Sequence, residues 1–212
     1  MGLLARVSEH PLVQPHRKLN NLPALDYTWV PGRGRVVLVL GENGSGKSVL
    51  RRLVHAECGH TFLSTSMEER GSARAVVDYG MESVESTGMV SGRAVRATLA
   101  RSAKRTTPHV LFFDEPDIGM SDALAAGIGV ELGRWVATPS ACYGLFVTSH
   151  NRSLLRGLLA TSGAPHVLWF GPAGFNLETW MTAEAVPRDL DEARAHARRT
   201  ESRVRIVLRG TR

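Results

Sequence analysis

The hydrophobic pattern of this chain is dominated by four short runs of apolar, β-forming residues. Polar and apolar positions do not alternate within them, as they would in a strand with one face in water, so both faces of each strand are expected to be buried. The runs occupy residues 36–40, 109–113, 143–148 and 166–170. Buried strands separated by helical segments predict an α/β fold with a mainly parallel sheet flanked by helices.

Helical periodicity fills most of the segments between these strands. Ser91 and Gly92 are expected to cap the second of the predicted helices, and Ser121 with Asp122 to cap the third. The predicted helices begin at Ser48 and cover 91–104, 122–137 and 152–160. Two shorter apolar runs, the first of them a predicted strand, lie at 61–64 and 75–79.

The N-terminal part of the chain precedes this central pattern. Residues 1–24 contain three prolines and show little periodicity, which indicates an irregular lead-in. Residues 25–30 predict a strand, and the Pro-Gly turn at 31–34 returns the chain into the first buried strand. We therefore expect a hairpin directly ahead of that strand.

The C-terminal part has a different composition. From residue 188 onward there are eight arginines and four acidic residues, in a predicted charged helix at 188–200 and a strand at 203–208. The sequence predicts a main domain at 1–186 and a small basic appendage at 187–212. This appendage is either a solvated extension or a surface for nucleic acid or an acidic partner.

Charge and length limit the classes of protein to consider. The chain has 212 residues and a net charge of +6 at pH 7, carried by arginine, because lysine occurs at only three positions. This excess of arginine reflects either the general amino-acid composition of the protein or contact with nucleic acid. No run reaches the roughly 18 apolar residues of a membrane span, and the apolar start is too short for a signal peptide. We expect a cytoplasmic protein without a transmembrane segment.

The first buried strand runs into the glycine-rich segment GENGSGKS at 41–48. Its glycines allow successive backbone N–H groups to close around an anion. In the pattern G-x-x-x-x-G-K-[ST], Lys47 adds a charge for the β- and γ-phosphates and the Ser48 hydroxyl binds Mg²⁺. The segment predicts a nucleotide phosphate site made by Gly41, Glu42, Asn43, Gly44, Ser45, Gly46, Lys47 and Ser48.

Chemically active side chains follow two later strands. Asp114 and Glu115 end the strand at 109–113, and His150 follows the strand at 143–148. Open α/β sheets bind ligands at the carboxyl ends of their strands. Asp114 is expected to hold Mg²⁺, Glu115 to polarise the attacking water, and His150 to bind the γ-phosphate and align that water.

The ordered segments GENGSGKS, SGRAVRATLARS, LFFDEP and FVTSH resemble the ABC-type ATPase superfamily over roughly residues 25–170. The DEPDIG and VTSHN forms resemble the soluble SMC/RecF-like members more than transporter subunits. The resemblance implies ATP as the nucleotide. It also implies that Ser91 and Gly92 contact the γ-phosphate held by a second subunit, in a nucleotide-dependent homodimer.

The chain departs from the family pattern in several places. Arg93 and Ala94 replace the second glycine and the glutamine of the family signature. The family usually has another glutamine after the phosphate loop, whereas the sole glutamine of this chain, Gln14, precedes that loop. The sequence therefore leaves several functions open. The first is a Mg²⁺-dependent ATPase acting as a dimeric switch in DNA maintenance, defence or assembly. The others are a nucleotide-binding sensing module with little hydrolysis, a transporter subunit, and a small-molecule kinase.

Overall fold

The structure is a computed structural model that describes residues 35–41, 45–58, 61–66, 86–138, 140–170, 174–184, 189–192, 194–195 and 198. It divides into two compact units. One contains the described residues of Leu40–Glu57 and Val167–Arg212, and the other those of Trp29–Val39 and Cys58–His166. The predicted hairpin, the apolar run at 75–79 and the strand at 203–208 lie outside the described residues.

Five strands form one sheet in the order β2-β3-β4-β1-β5. Its interior is apolar, since the side chains at positions 36–40, 110–113 and 145–147 are all buried. This confirms the predicted α/β fold with a parallel sheet, and each strand predicted within the described residues is found to within one residue at either end. The strands are β1 (Arg35–Gly41), β2 (Phe62–Thr65), β3 (His109–Asp114), β4 (Cys142–Thr148) and β5 (His166–Phe170).

The register of the parallel strands places polar residues at their carboxyl ends. β3 pairs with β4 so that Phe112 lies beside Phe146 and Asp114 beside Thr148. The two phenylalanine rings stack with centroids 5.3 Å apart. β1 pairs with β4 on the other side, where Val39 lies beside Thr148. The packed aromatic interior thus fixes which polar residues are neighbours at the carboxyl edge.

Of the four helices predicted between residues 48 and 160, three start where the sequence places them, to within one residue. In the predicted helix at 188–200, the described residues 190–192, 194–195 and 198 are helical. Ser121 caps the third helix by accepting a hydrogen bond from the N–H of Leu124, as predicted. A short helix that the pattern did not predict follows β5. The helices are α1 (Lys47–Cys58), α2 (Thr87–Ala103), α3 (Asp122–Ala137), α4 (Arg152–Ser162) and α5 (Leu177–Thr182). In the described part of the chain, none is long and apolar enough to cross a membrane.

The predicted start of α2 is wrong. The helix begins at Thr87 with Ser86 as its N-cap residue, so Ser91 and Gly92 lie inside it and cap nothing. Hydroxyl residues at 91, 98 and 102 take three places on its buried face. Each of these hydroxyls has a hydrogen-bond partner within the unit. Serine and threonine can therefore be buried at positions where the helical pattern calls for apolar side chains. The missed first turn contains Thr87 and the buried Gly88, which give no apolar signal to the helical pattern.

Helices α3 and α4 are brought together by glycines. A Cβ atom at Gly129 would lie 2.0 Å from the Leu154 carbonyl oxygen, and one at Gly157 would lie 2.1 Å from the Ala126 carbonyl oxygen. Real Cβ atoms do not approach backbone this closely, so glycine is required at both positions. This close approach holds α4, the helix that follows β4 in the chain, against α3.

Candidate functional site

The phosphate loop is described at Gly41 and from Ser45 to Ser48, while Glu42, Asn43 and Gly44 lie outside the described residues. Gly41 has φ of +153° and Gly46 has φ of +106°, values that side chains rarely allow. A Cβ atom at Gly41 would also lie 2.5 Å from the Phe170 carbonyl oxygen. The backbone path of the loop therefore depends on glycine.

The side chain of Lys47 lies along the phosphate loop. Its side chain is 6% exposed, and Nζ donates a hydrogen bond to the Gly41 carbonyl oxygen at 3.0 Å. Oγ of Ser45 is buried with no hydrogen-bond partner in the described part of the chain. The Lys47 ammonium group and the buried Ser45 hydroxyl can both donate hydrogen bonds to an oxyanion. A buried polar atom without a partner is costly, so binding an anion here would be favourable.

The same loop opens α1, whose first turn contains no acidic residue. The N–H groups of Val49 and Leu50 both donate to the Gly46 carbonyl oxygen, so the helix begins immediately after the loop. Ser48 is exposed at this end. A helix N-terminus carries partial positive charge and attracts anions. The loop and α1 together have the chemistry expected of a phosphate site.

The second group of candidate residues lies at the carboxyl ends of β3 and β4. Thr148 is buried, and its hydroxyl donates to Oδ1 of Asp114 at 2.6 Å. The same hydroxyl accepts the backbone N–H of Glu115 at 2.9 Å. One threonine therefore orients Asp114 and fixes the chain where it turns into Glu115. Sequence reasoning missed Thr148, although it is the last residue of a buried strand.

Glu115 has an unusual backbone conformation. Its φ is +50°, in the left-handed region, and it is the sole non-glycine residue with positive φ in the described segments. Such a conformation costs on the order of 1–3 kcal/mol and persists where the surroundings fix it. Here the Glu115 N–H is fixed by the carbonyl oxygen of Thr148 at 3.1 Å as well as by its hydroxyl.

The turn at Glu115 brings its carboxylate against His150. Nε2 of His150 lies 3.3 Å from Oε1 of Glu115, and the two side chains are 39% and 34% exposed. Both groups are thus close to each other and open to solvent. Asp114, Glu115 and His150, which the sequence predicts as site residues, lie together in one unit, and the phosphate loop belongs to the other unit.

Two further residues of this cluster escaped the sequence reasoning. Ser149 and Asp117 are close enough for the Ser149 side chain to act on the Asp117 carboxyl. Burial raises the pKa of Asp117 above its usual value. The Ser149 side chain and the backbone N–H of Asp117 itself lower this pKa, the charge of Glu115 raises it and that of His150 lowers it. The signal that could have found Asp117 is its place three residues after Asp114, on the turn that leaves the strand.

Ser91 does not face outward. Its side chain is fully buried, and its hydroxyl lies 2.8 Å from both the Thr87 and the Ile118 carbonyl oxygens. Gly92 is half-buried beside it. The Ser91 hydroxyl thus joins α2 to the turn that follows Glu115, and this conformation gives no support to a contact with nucleotide on a second subunit.

Comparisons with known proteins were made against families, curated proteins and solved structures. Residues 37–128, less than half of the chain, match the family described as ATPase family associated with various cellular activities (AAA). No curated protein matches. A solved chain from the structure of the E. coli MS115-1 HORMA:CdnC:Trip13 complex is similar at 16% sequence identity and a TM-score of 0.41. The match covers 79% of this chain and 55% of that one, so this chain spans just over half of its length.

The family match begins in β1 and includes the phosphate loop and the Asp114-Glu115 pair. It does not confirm the ABC-type subclass suggested by the sequence motifs. The parallel sheet, the phosphate loop and this match together support the assignment of this chain to the P-loop ATPase superfamily.

Proposed function

We propose that this protein binds ATP with Mg²⁺ and hydrolyses it, using Glu115 as the base that activates water. The observation that carries the proposal is the position of Glu115, held at φ +50° with its carboxylate 3.3 Å from Nε2 of His150. A carboxylate that is solvent-accessible and rigidly held can take a proton from water. His150 is the partner that orients it.

The phosphate loop is the second part of the proposal. β1 runs into this loop, and β1, β4 and β3 are parallel neighbours in the sheet. Ligands of open α/β sheets bind beyond the carboxyl ends of such strands. Lys47 and the backbone N–H groups of the loop would bind the phosphates, and the buried Ser45 hydroxyl offers one further donor.

Ser48 and Asp114 fit Mg²⁺ by the nature of their donors, since this ion prefers hydroxyl and carboxylate oxygens and keeps several waters. Ser48 is exposed at the start of α1, and Asp114 is oriented by the Thr148 hydroxyl. When bound, Mg²⁺ would neutralise the charge that develops on the phosphates. Asp114 would serve as the acidic ligand and Glu115 would remain available for water.

The resemblance of the sequence motifs to soluble ABC-type ATPases supports a homodimer that closes on ATP and opens after hydrolysis. We propose that this cycle serves DNA maintenance, defence or an assembly process, with the basic segment 187–212 as the contact for nucleic acid or an acidic partner. Hydrolysis per chain should then rise with protein concentration, because a dimer must form for turnover.

One observation favours a second function, a nucleotide-binding sensing module with little hydrolysis. Ser91 is buried and its hydroxyl is used between α2 and the turn after Glu115. The contact that would complete a site on a second subunit is then absent from this conformation. Such a module would bind nucleotide with Lys47 but turn it over no faster as its concentration rises.

The test compares wild type with Glu115→Gln, using Glu131→Gln, a change of another partly exposed glutamate, as the matched control. We expect Glu115→Gln to lower phosphate release at least 100-fold, the usual scale of a lost general base, while Mg-ATP still binds. Light scattering should show a dimer with Mg-ATP that persists in Glu115→Gln. Normal hydrolysis by Glu115→Gln would refute the proposed base, and a monomer under every condition would refute the dimeric switch.

A further inference from the structure

The phosphate loop lies against the end of β5. Phe170, the last residue of this strand, is 7% exposed. A Cβ atom at Gly41 would lie 2.5 Å from the Phe170 carbonyl oxygen, and one at Gly46 would lie 3.9 Å from the Phe170 ring. The described residues of 40–57 and 167–212 belong to the same compact unit, so these contacts lie within one body. Phe170 therefore supports the loop at its first and its last glycine.

Trp169, the residue before Phe170, has a different environment. Successive side chains of a strand point to opposite faces, and Leu168 and Phe170 are buried while Trp169 between them is half-buried. The Trp169 ring stacks on the ring of Phe175, with centroids 4.0 Å apart and an angle of 15° between the planes. Phe175 is half-buried too. We call these two residues the aromatic pair, and their rings form a flat apolar surface that solvent partly reaches.

Aromatic residues are concentrated in this part of the chain. Two of the four tryptophans and two of the six phenylalanines lie between residues 169 and 180. Phe170 is buried against the loop, but the aromatic pair is not part of the buried core. Ligand sites are commonly lined by aromatic side chains with a few polar groups beside them. A partly exposed aromatic surface that begins one residue from the loop support is thus suited to a flat, apolar part of a ligand.

The strand order indicates which part of a nucleotide would reach this surface. β1, which runs into the phosphate loop, has β4 on one side and β5 on the other. In the proposed function the terminal phosphate faces the residues that lie at the ends of β3 and β4. The sugar and the base are then directed toward β5. Bases stack on aromatic side chains whatever their identity, because each base has a π-face.

We infer that the aromatic pair is the base-binding surface of the nucleotide site: the purine ring of a nucleotide whose phosphates occupy the loop stacks on this pair. The inference rests on the proposed function for the presence of a nucleotide at the loop, but it does not depend on hydrolysis. Stacking acts on the ring and not on its hydrogen-bonding edge. The aromatic pair therefore favours purine nucleotides over a bare triphosphate, without selecting adenine over guanine.

The test measures binding by titration calorimetry with Mg-ATP, Mg-GTP and Mg-tripolyphosphate, which has no base. The variants are Trp169→Ala, Phe175→Ala and the conservative Trp169→Phe, with Trp180→Ala as the control for loss of a half-buried aromatic ring in α5. We expect both nucleotides to bind Trp169→Ala and Phe175→Ala about tenfold or more weakly, the usual scale of a lost base stack. Tripolyphosphate should bind every variant as tightly as it binds wild type. Trp169→Phe should keep most of the nucleotide affinity, and Trp180→Ala all of it.

The second readout is tryptophan fluorescence, which reports contact between base and indole directly. Mg-ATP should quench the emission of wild type, because a base stacked on an indole quenches it, and tripolyphosphate should not. The quench should be lost in Trp169→Phe, which still binds nucleotide, and kept in Trp180→Phe. An equal quench in wild type and Trp169→Phe would place the base elsewhere.

The two proposals fail in different ways. Unchanged ATP affinity in both alanine variants, or an equal loss of ATP and tripolyphosphate binding, would overturn the base surface while leaving the ATPase intact. Weaker binding of nucleotide alone, in a protein whose wild type releases no phosphate, would support the base surface and refute the ATPase. A wild type that binds neither ATP nor tripolyphosphate would refute both. Circular dichroism melting curves identify an alanine variant that has not folded, and the fluorescence of Trp169→Phe then decides.

Discussion

Thr148 and Asp114 are joined by a hydrogen bond of 2.6 Å between the threonine hydroxyl and Oδ1 of the aspartate. The two residues are the last of β4 and β3 and lie side by side in the parallel register. The same hydroxyl accepts the N–H of Glu115. A single buried hydroxyl thus orients the proposed metal ligand and fixes the start of the turn that presents the proposed base.

Replacing Thr148 with valine keeps the shape of the side chain and removes both bonds. We expect Thr148→Val to lower ATP turnover about tenfold or more, because Asp114 loses the hydroxyl that orients it and the Glu115 N–H loses one of its two bonds. Loss of the buried bonds should also lower the free energy of unfolding by about 1–3 kcal/mol. Phosphate release and urea unfolding measure the two effects.

Thr65→Val is the matched control for this change. Thr65 is a buried threonine at the end of β2, and its hydroxyl bonds the Thr98 hydroxyl at 2.7 Å. Its replacement should lower stability by a similar amount but leave turnover per folded molecule unchanged. Equal losses of turnover in the two variants would mean that Thr148 acts on stability alone.

Two glycines of α3 should respond in opposite directions to alanine. A Cβ atom at Gly129 would lie 2.0 Å from the Leu154 carbonyl oxygen, whereas one at Gly127 would have no atom within 4 Å. We expect Gly129→Ala to destabilise by about 3 kcal/mol, since backbone must move to make room. Gly127→Ala should stabilise by about 0.5–1 kcal/mol because alanine favours the helix.

Chemical unfolding of the two variants checks this prediction, with circular dichroism as the signal. The comparison is closely matched because the positions are two residues apart in one helix. Destabilisation by Gly127→Ala would contradict the open space beside that position, and a Gly129→Ala variant as stable as wild type would contradict the close packing of α3 on α4.

A buried histidine should make stability fall in acid. Nδ1 of His109 lies 2.9 Å from the Thr107 carbonyl oxygen, so it carries the proton, and Nε2 accepts from the Ser102 hydroxyl at 2.6 Å. Burial lowers the pKa of His109 below its usual 6.5, the bond to Thr107 opposes this, and the charge of Arg105 adds to it. Both hydrogen bonds are made by the neutral ring.

Because the pKa of His109 is lower in the folded protein, the unfolded chain binds a proton first as the pH falls. The contribution of His109 to stability is complete above about pH 6.5 and is lost progressively below it. We expect the free energy of unfolding to fall between pH 7 and pH 5, and to fall less in His109→Asn. An identical pH dependence in both proteins would rule out this role for His109.

The sequence predicted most of the framework, because its signals are local. An unbroken apolar run such as residues 109–113 can be satisfied only between two covered faces, so the parallel sheet followed from the pattern itself. Glycine at 41 and 46 likewise indicated a backbone path that no side chain allows. The strand ends then gave Asp114, Glu115 and His150 as a group, since neighbouring parallel strands end at the same edge.

The wrong start predicted for α2 shows the limit of reasoning from the local sequence pattern. The sequence predicts Ser91 as a cap, yet this residue is buried inside the helix and bonded to the Ile118 carbonyl oxygen, 27 residues away. A serine that satisfies its hydroxyl inside the protein has the same sequence signature as one that faces water. Whether it is buried depends on what packs against it, which the helix itself does not encode.

By itself, the sequence of this protein determined its strands, its phosphate loop and the chemical types at the strand ends, because each follows from residues adjacent in the chain. Only the tertiary structure decided that Thr148 orients Asp114, that the Ser91 hydroxyl bonds the Ile118 carbonyl oxygen and that Glu115 turns at φ +50° toward His150. These relationships depend on strand register and helix packing, which are set by contacts between residues about 30 positions apart.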